Sequence, residues 1–332
     1  MINEKQKLNP KLFDADVEQK PLRFGFGEGL LKAGEENENV VALCADLTDS
    51  TKVSTFSKKF PERFVEMGIG EQSMASVASG LAAMGKVPFI ASYAMFSPGR
   101  NWEQIRTTIC YNNSNVKVAG AHAGVSVGPD GGTHQAIEDI AITRVIPRMV
   151  VIVPCDSIES KKATYESAKI KGPVYLRFAR EATPIMTTED SPFEVGKANV
   201  LWDASTGSAQ AAIIACGPMV YNALVAAKEL EKEGIEIIVV NNHTIKPIDE
   251  KTLSEVAKKA GAVVTVEEHQ VHGGMGSAVA EVLAKNQPVP IEFVGIQDKF
   301  GESGQPDELI EKFGMGIKDI KQAVKRVIKR KK

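Results

Sequence analysis

Polar side chains capable of binding or catalysis follow several short apolar runs in this sequence. They are Asp46, Thr48 and Ser50 after one run, Tyr93, Phe96 and Arg100 after another, His122, Asp130 and His134 after a third, and Arg180 at the end of a fourth. Ligands bind beside the carboxyl ends of the strands in an open parallel sheet, so we expect these groups to meet at one edge. A single histidine in such a place is usually a satisfied loop residue, whereas several converging polar groups indicate a site.

Glu71 is a further candidate, because it follows Gly70 and directly precedes an apolar helical segment. Two interpretations remain open. The carboxylate could be favoured there only by the positive end of the helix dipole. Alternatively, it lies in an apolar pocket, where burial keeps a carboxyl group protonated and able to donate a hydrogen bond. A dinucleotide-binding fingerprint is not predicted, because Ser73 stands in place of its third glycine.

Two glycine-rich segments are interpreted differently. Segment 124–134 combines four glycines with Asp130 and His134. Glycines let the backbone approach a ligand closely, so we interpret this segment as part of the site rather than as a flexible surface loop. Segment 273–277 lacks the lysine of a phosphate-binding loop and an acidic ribose partner, which favours a tight packing loop. His269 and His272 beside it have no further ligand cluster, so no metal site is predicted.

Short runs rich in β-branched residues alternate with amphipathic segments along the chain, and we expect these elements to position the candidate site residues. Strands are predicted at 40–45, 87–93, 116–122, 150–153, 174–180, 211–215, 235–240, 262–267 and 291–294. The runs are nearly continuous, as is typical of strands covered on both faces. The predicted fold class is therefore α/β with two domains, each a largely parallel sheet covered by helices on both faces.

The segment 181–208 interrupts this alternation with prolines and glycines, which favours a linker with one or two edge strands. We therefore expect an N-terminal extension at 1–20, a first domain at 21–185, a linker at 186–200 and a second domain at 201–332. Two local features are also predicted. Asp156 and Glu159 should form a helix capping box. The helix after Glu71 should bury one face, formed by Met74, Val77, Ala78, Leu81 and Ala82.

Composition limits the function classes. The chain has 332 residues and a formal net charge of -2, which offers no electrostatic case for a nucleic-acid partner. Its four cysteines have no metal-ligand or redox spacing, and buried free thiols fit a reducing compartment. Residues 1–20 contain no apolar signal core, and no run has the length of a transmembrane helix. A cytoplasmic protein without a membrane partner is expected.

Several motifs, taken in order, resemble one known family. They are Cys44-Ala45-Asp46-Leu47-Thr48-Asp49-Ser50, Gly70-Glu71-Gln72, Tyr93-Ala94-Met95-Phe96, Trp102-Glu103-Gln104-Ile105-Arg106, Gly128-Pro129-Asp130-Gly131-Gly132-Thr133-His134-Gln135 and Leu176-Arg177-Phe178-Ala179-Arg180-Glu181. From about Pro21 onward, the sequence resembles the pyrimidine-binding and C-terminal domains of transketolase, a thiamine-diphosphate-dependent enzyme. By this resemblance, 21–185 is the pyrimidine-binding domain and 201–332 is the C-terminal domain.

The resemblance implies roles for individual residues. The implied catalytic residues are Glu71, His134 and His122; the cofactor-binding residues are Glu71, Phe96, Tyr93 and Asp46; and the substrate-binding residues are Asp130, Arg180, Ser50, Arg23 and His122. Glu71 would contact the pyrimidine ring nitrogen of thiamine diphosphate, and Phe96 with Tyr93 would stack on the ring. Arginine suits a substrate phosphate, because its planar fork binds two oxygens at once.

The resemblance also implies a partner. Full-length transketolases bind Mg²⁺ and the diphosphate with a Gly-Asp-Gly motif and a downstream Asn, and neither occurs in this sequence. A separate N-terminal subunit is therefore expected to carry most of the diphosphate and Mg²⁺ site. The implied assembly is a heterotetramer around a homodimer core, which transfers a two-carbon ketol unit between sugar phosphates. One departure is Ser97-Pro98-Gly99-Arg100, where full-length transketolases often have further aromatic residues.

Three alternatives remain open. The beta subunit of a 2-oxo acid dehydrogenase has similar size and order, but it passes an acyl group to a lipoyl domain and needs no Asp130 or sugar-phosphate arginine. A 1-deoxyxylulose-5-phosphate synthase fragment shares the Asp-Gly-x-Thr-His-Gln pattern, although His122 and Asp46-Leu47-Thr48 are more similar to transketolase. A structural or regulatory subunit without turnover is the non-enzyme alternative, and the presence of Glu71 counts against it.

Overall fold

The computed structural model describes residues 1–204, 207 and 209–331. Ser205, Thr206 and Ser208, which belong to the predicted irregular segment 181–208, lie outside the described residues, as does Lys332 at the end of the predicted second domain.

The strands among the described residues are β1 (Gln19–Pro21), β2 (Val40–Cys44), β3 (Phe64–Glu66), β4 (Val87–Tyr93), β5 (Lys117–Ala121), β6 (Val150–Ile152), β7 (Val174–Arg177), β8 (Ala182–Pro184), β9 (Asn199–Trp202), β10 (Ala211–Ala215), β11 (Ile237–Asn241), β12 (Thr244–Lys246), β13 (Val263–Gln270) and β14 (Ile291–Ile296). The helices are α1 (Leu22–Glu36), α2 (Ser54–Lys59), α3 (Glu71–Ala83), α4 (Trp102–Gln104, continued by a π-helix at Ile105–Tyr111), α5 (Asp139–Arg144), α6 (Ser157–Lys169), α7 (Met219–Lys232), α8 (Glu250–Ala260), α9 (Met275–Asn286), α10 (Pro306–Lys312) and α11 (Ile317–Lys329).

The described residues form two large, largely parallel sheets and a small antiparallel pair of β1 with β8. Among the described residues, the first sheet has the order β12-β6-β7-β5-β4-β2-β3, and only β12 is antiparallel to its neighbour. The second has the order β14-β13-β10-β11-β9, with β9 antiparallel. Every residue of β2, β5, β10 and β11 is buried, because helices cover both faces. The predicted α/β class with two sheets is confirmed.

Most predicted runs are strands, with two differences that matter for the site. The run 174–180 is a strand only to Arg177, so Arg180 lies beyond the end of β7. Strand β12 was not predicted, and it pairs with β6 of the first sheet although it follows β11 of the second in the chain. Its three residues are too few to give a periodic pattern.

The buried face of α3 was predicted only in part. Met74 and Ala78 are fully buried and Ala75 joins them, but Val77 is exposed and Leu81 is half-buried. Helix α3 packs by its buried side against β4 and the π-helical segment, which leaves Val77 facing outward.

The predicted cap of α6 is present in altered form. The Asp156 side chain accepts the N–H of Glu159 at 2.8 Å, as an N-cap should. The Glu159 carboxylate accepts from the N–H of Cys155 at 2.7 Å rather than from Asp156 itself. All four cysteines are buried and free, as predicted for Cys44, Cys155 and Cys216. No helix among the described residues is both long and apolar enough to cross a membrane.

Candidate active site

Glu71 is the first residue of α3, and its side chain is 1% exposed. Its Oε2 accepts a hydrogen bond from Nη1 of Arg100 at 2.5 Å, and Oε1 accepts only a long one from Ser92 Oγ at 3.3 Å. The expectation of an apolar pocket was therefore wrong, because the carboxylate has a guanidinium partner. The Arg100 side chain is 45% exposed, so this partner lies at the surface of the described chain.

An aromatic group adjoins this ion pair. Tyr93 at the end of β4 stacks on His122 with ring centroids 4.0 Å apart, and Phe96 lies 6.1 Å from Tyr93. His134 meets Phe96 edge-on at 5.4 Å. The Arg100 guanidinium lies over the Phe96 ring at 4.8 Å. The structure thus brings Glu71, two half-buried aromatic rings and two imidazoles into one contiguous group of side chains.

His122 follows β5 and is buried. Arg23 Nη1 donates to its Nε2 at 3.0 Å, so the neutral ring carries its proton on Nδ1. That Nδ1 has no hydrogen-bond partner among the described residues. Burial lowers the pKa of His122 to about 3, and the charges of Arg23 and Arg180 act in the same direction. His122 is therefore neutral at neutral pH, and its Nδ1–H is a buried donor without a partner among the described residues.

Two arginines lie at the His122 end of this surface. Arg23, near the start of α1, also reaches the carbonyl of Ser50 at 3.5 Å. Burial lowers the pKa of Arg23, and the charge of Arg180 lowers it further. Arg180 donates to the Val127 carbonyl at 2.7 Å and pairs with Glu181 at 3.4 Å. Two neighbouring guanidinium groups repel each other, so a bound anion would relieve this repulsion.

Two predicted site residues are not brought into this group. Asp46 and Asp130 are exposed, and among the described residues neither makes a hydrogen bond or ion pair with the other predicted site residues. The N–H of Asp46 and the hydroxyl of Thr48 instead donate to Glu66, at 2.7 and 2.8 Å. Glu66 was not predicted, because it belongs to the short strand β3, which has no pattern of its own.

A buried ionic group behind the site was also missed. Arg177 at the end of β7 pairs with Asp139 at 2.8 Å, and the Tyr175 hydroxyl donates to the same carboxylate at 2.6 Å. The sequence feature that could have revealed this group is Arg177, a charged residue inside an otherwise apolar run. Glu267 and Glu268 are likewise buried within β13, at the end of the predicted run 262–267 and one residue beyond it.

In the glycine-rich segment 273–277, a carboxylate of the protein occupies the position that a phosphate would take in a phosphate-binding loop. The Glu267 carboxylate accepts the N–H groups of Met275 and Gly276 at 2.6 and 2.8 Å, at the start of α9. A Cβ atom on Gly274 would overlap that carboxylate. The interpretation of 273–277 as a packing loop is confirmed. No group of three or more His, Cys, Asp or Glu side chains suited to a metal ion occurs among the described residues.

Comparisons with known proteins agree with this architecture. Residues 18–186 match the family described as "Transketolase, pyrimidine binding domain", and residues 197–320 match "Transketolase, C-terminal domain". A protein of Methanocaldococcus jannaschii, provisionally named a transketolase C-terminal section, is 44% identical over 94% of this chain and 97% of its own. A 6-deoxy-6-sulfo-D-fructose transketolase subunit of Clostridium sp. (strain MSTE9) is 41% identical over 96% of this chain and 98% of its own.

A solved structure is also similar. The "Split gene transketolase, inactive beta4 tetramer" has a TM-score of 0.87 and 46% identity, and the match covers 94% of this chain and 99% of that one. The two parallel sheets and the matched regions define a two-domain thiamine-diphosphate-type fold. The chain belongs to the transketolase family of ketol-transferring enzymes, among the C-terminal parts of split transketolases.

Proposed function

We propose that this chain is the C-terminal subunit of a split transketolase, which transfers a two-carbon ketol unit between sugar phosphates by means of thiamine diphosphate. One observation carries the proposal. A buried carboxylate, two aromatic rings, two imidazoles and two arginines form one contiguous group, from Glu71 at one end to Arg180 at the other. Such an order suits a planar cofactor ring beside a sugar that carries a terminal anion.

The residues at the Glu71 end fit the pyrimidine ring of the cofactor. Glu71 Oε1 has only the long contact to Ser92, so it can bind a ring nitrogen while Oε2 stays with Arg100. Tyr93 and Phe96 are half-buried and offer their faces for stacking. Thiamine diphosphate, when bound, supplies the carbon nucleophile for ketol transfer. Glu71 contributes by holding and exchanging a proton at Oε1.

The residues at the other end fit the sugar. His134 adjoins the aromatic group, which supports a role for it at the reacting carbons. His122 donates from Nδ1, and the adjacent guanidinium groups of Arg23 and Arg180 bind the anionic end together with Ser50. The relative named for 6-deoxy-6-sulfo-D-fructose supports a ketose with a terminal anion, either a phosphate or a sulfonate. The substrate range proposed for this chain is therefore anionic ketoses.

A second chain is proposed to complete the site, because apolar side chains are uncovered along the whole length of α3, from Ile69 just before Glu71 to Met84 at the far end of the helix. Ile69 is 76% exposed and Met84 82% exposed, and Val77 lies between them. Another polypeptide would gain free energy by covering this surface. We assign the diphosphate and Mg²⁺ site mainly to a separate N-terminal subunit, around a homodimer core of this chain. The similar structure described as an inactive beta4 tetramer supports self-assembly without turnover in such chains.

Titration calorimetry and a substrate panel test the proposal. The isolated chain should bind thiamine diphosphate weakly, whereas the chain with its N-terminal partner should show Mg²⁺-dependent binding. Tight Mg²⁺-dependent binding by the isolated chain would contradict the divided site. The reconstituted enzyme should transfer ketol units from ketose phosphates or ketose sulfonates. Turnover only with 2-oxo acids, with acyl transfer to a lipoyl domain or condensation to a deoxyketose phosphate, would assign the chain to one of the other enzyme classes.

A further inference from the structure

The loop 124–135 joins several parts of the site, because Val127 accepts from Arg180 and His134 lies at the other end of the loop. Loops with many glycines are usually mobile, which would blur the placement of both side chains. In this chain the second half of the molecule contacts the loop from two sides. None of these contacts is used by the proposed chemistry.

Glu268 makes the first contact. It belongs to β13, its residue is 2% exposed, and its Oε1 accepts the N–H of Ser126 at 2.6 Å. Gly124 passes directly over this carboxylate with φ +89°, and a Cβ atom there would overlap it. A charge-assisted bond to a backbone N–H is among the stronger hydrogen bonds in proteins. The carboxylate therefore holds the start of the loop.

Arg177 holds Glu268 in turn. Its Nη2 donates to the main-chain carbonyl of Glu268 at 2.8 Å, while its Nε pairs with Asp139 at 2.8 Å. Strands β7 and β13, which belong to different sheets, are thereby joined beneath the loop. Burial raises the pKa of the Glu268 carboxyl, and the nearby Arg177 charge and the Ser126 bond oppose that rise.

Segment 301–306 makes the second contact. Gln135 Nε2 donates to the carbonyl of Glu302 at 2.9 Å and to that of Val125 at 3.0 Å, so one amide ties both ends of the loop to this segment. A Cβ atom on Gly132 would lie 2.6 Å from the carbonyl oxygen of Gly301. Close backbone contact of this kind leaves the loop little room to shift.

We propose that Glu268 and Gln135 are positioning residues, through which the C-terminal half clamps the loop 124–135 and so presents Arg180 and His134 to an anionic ketose. The connection is short: the Glu268 carboxylate holds the Ser126 N–H, and the next residue's carbonyl holds the Arg180 guanidinium. This proposal rests on the proposed function. It assigns the second half of the chain a direct part in substrate binding.

The variants Glu268→Gln and Gln135→Ala test the clamp in the enzyme reconstituted with its N-terminal partner. Glu268→Gln keeps the side-chain shape and removes the charge. Glu267→Gln is the matched control, because Glu267 is the adjacent buried glutamate of β13 and binds the start of α9 instead of the loop. Hydrogen–deuterium exchange of peptides covering 124–135 is measured first, and steady-state kinetics with ketose phosphates second.

Both test variants should increase exchange in 124–135 and raise KM about tenfold, the scale of a weakened charge-assisted bond between Arg180 and the substrate anion, while cofactor affinity changes less than about threefold. The Glu267→Gln control should leave loop exchange and KM at wild-type values. Wild-type exchange in Glu268→Gln would overturn the clamp, and faster exchange with wild-type KM would overturn its role in substrate binding. Failure of the proposed function is a different result, namely no ketol transfer by the wild-type enzyme with any anionic ketose.

Discussion

Two buried glutamates at helix starts differ in how completely the fold satisfies their carboxylates: Glu71 begins α3, and Glu267 of β13 contacts the beginning of α9. The Glu267 carboxylate accepts two backbone N–H groups of α9, at 2.6 and 2.8 Å. The Glu71 carboxylate, at the start of α3, depends on Arg100 and leaves Oε1 with a single 3.3 Å contact. Backbone donors cannot move away, whereas a half-exposed arginine can. The comparison indicates that Glu267 is fully satisfied within the fold and that Glu71 keeps unused hydrogen-bond acceptor capacity.

The largest expected effect comes from Glu71→Gln. This change keeps the shape but removes the exchangeable proton, so kcat of the reconstituted enzyme should fall by roughly two to four orders of magnitude. Folding should survive, because the change weakens the Arg100 ion pair and the interaction with the helix dipole at a cost of about 1–2 kcal/mol. Measuring kcat and Tm on the same sample distinguishes a role in proton exchange from a role only at the helix start. Near-normal kcat with a small change in Tm would mean that Glu71 is only a helix-start residue.

Glu267→Gln should behave in the opposite way, with near-normal turnover and an altered pH dependence of stability. Burial raises the pKa of Glu267 from 4.5 to about 7. Between these values the folded chain still binds the proton that the unfolded chain has released, so rising pH lowers the free energy of unfolding of the wild-type chain. The variant has no such proton. Its stability relative to wild type should therefore rise from pH 5 to pH 8, by on the order of 3 kcal/mol.

Urea denaturation of both chains at pH 5 and pH 8 measures this difference directly. A constant offset between the two chains across this range would show that Glu267 does not titrate within it. If Glu267→Gln folded normally but lost turnover, Glu267 would not be a purely structural residue, and the contrast with Glu71 would be wrong.

Arg180→Ala extends the comparison to the arginines, because Arg180 is half-buried near the site while Arg177 is fully paired beneath it. Removal of the Arg180 guanidinium should raise KM for phosphorylated ketoses by an amount equivalent to about 1.5–3 kcal/mol. The KM values for uncharged ketoses should stay unchanged. Equal effects on both substrate classes would exclude Arg180 as the anion-binding residue.

Arg100→Gln should produce the smallest effect of the series. Removal of the guanidinium leaves the Glu71 carboxylate without its cation, so the isolated chain should lose about 1–2 kcal/mol of stability. Arg100→Lys should recover part of this loss, because lysine keeps the charge but not the planar fork. Thermal unfolding of the three chains at one pH compares them. Identical Tm values would show that Glu71 does not depend on Arg100, contrary to the comparison with Glu267.

The chain's local patterns were sufficient for the sheet strands and for much of the site surface. Buried parallel strands such as β4 and β10 must be continuous apolar runs, so their positions can be read from composition alone. The polar residues after those runs are confined to one sheet edge, which is why Tyr93, Phe96 and His122 were predicted as a group and lie together. The motif set likewise indicated the family to which the chain belongs.

Local patterns could not predict which groups become partners. The pairs Glu71–Arg100, Arg23–His122 and Ser126–Glu268 are 29, 99 and 142 residues apart in the chain. Helical and strand periodicities extend over one element and carry no information about contacts at such separations. The Arg100 partner of Glu71 was therefore not predicted, and the ionic group around Arg177 was missed.

The sequence by itself determined the α/β class, the order of most strands along the chain and the residue types gathered at the site edge, because burial on both faces of a parallel sheet imposes a local pattern. Only the tertiary structure decided which polar groups are already satisfied and which are free for a ligand. Glu267 and Arg177 are satisfied because elements distant in the chain provide their partners, whereas Glu71 Oε1 and His122 Nδ1 are left with weak or no partners among the described residues. Satisfaction of a buried polar group depends on three-dimensional proximity, which the folded chain alone provides.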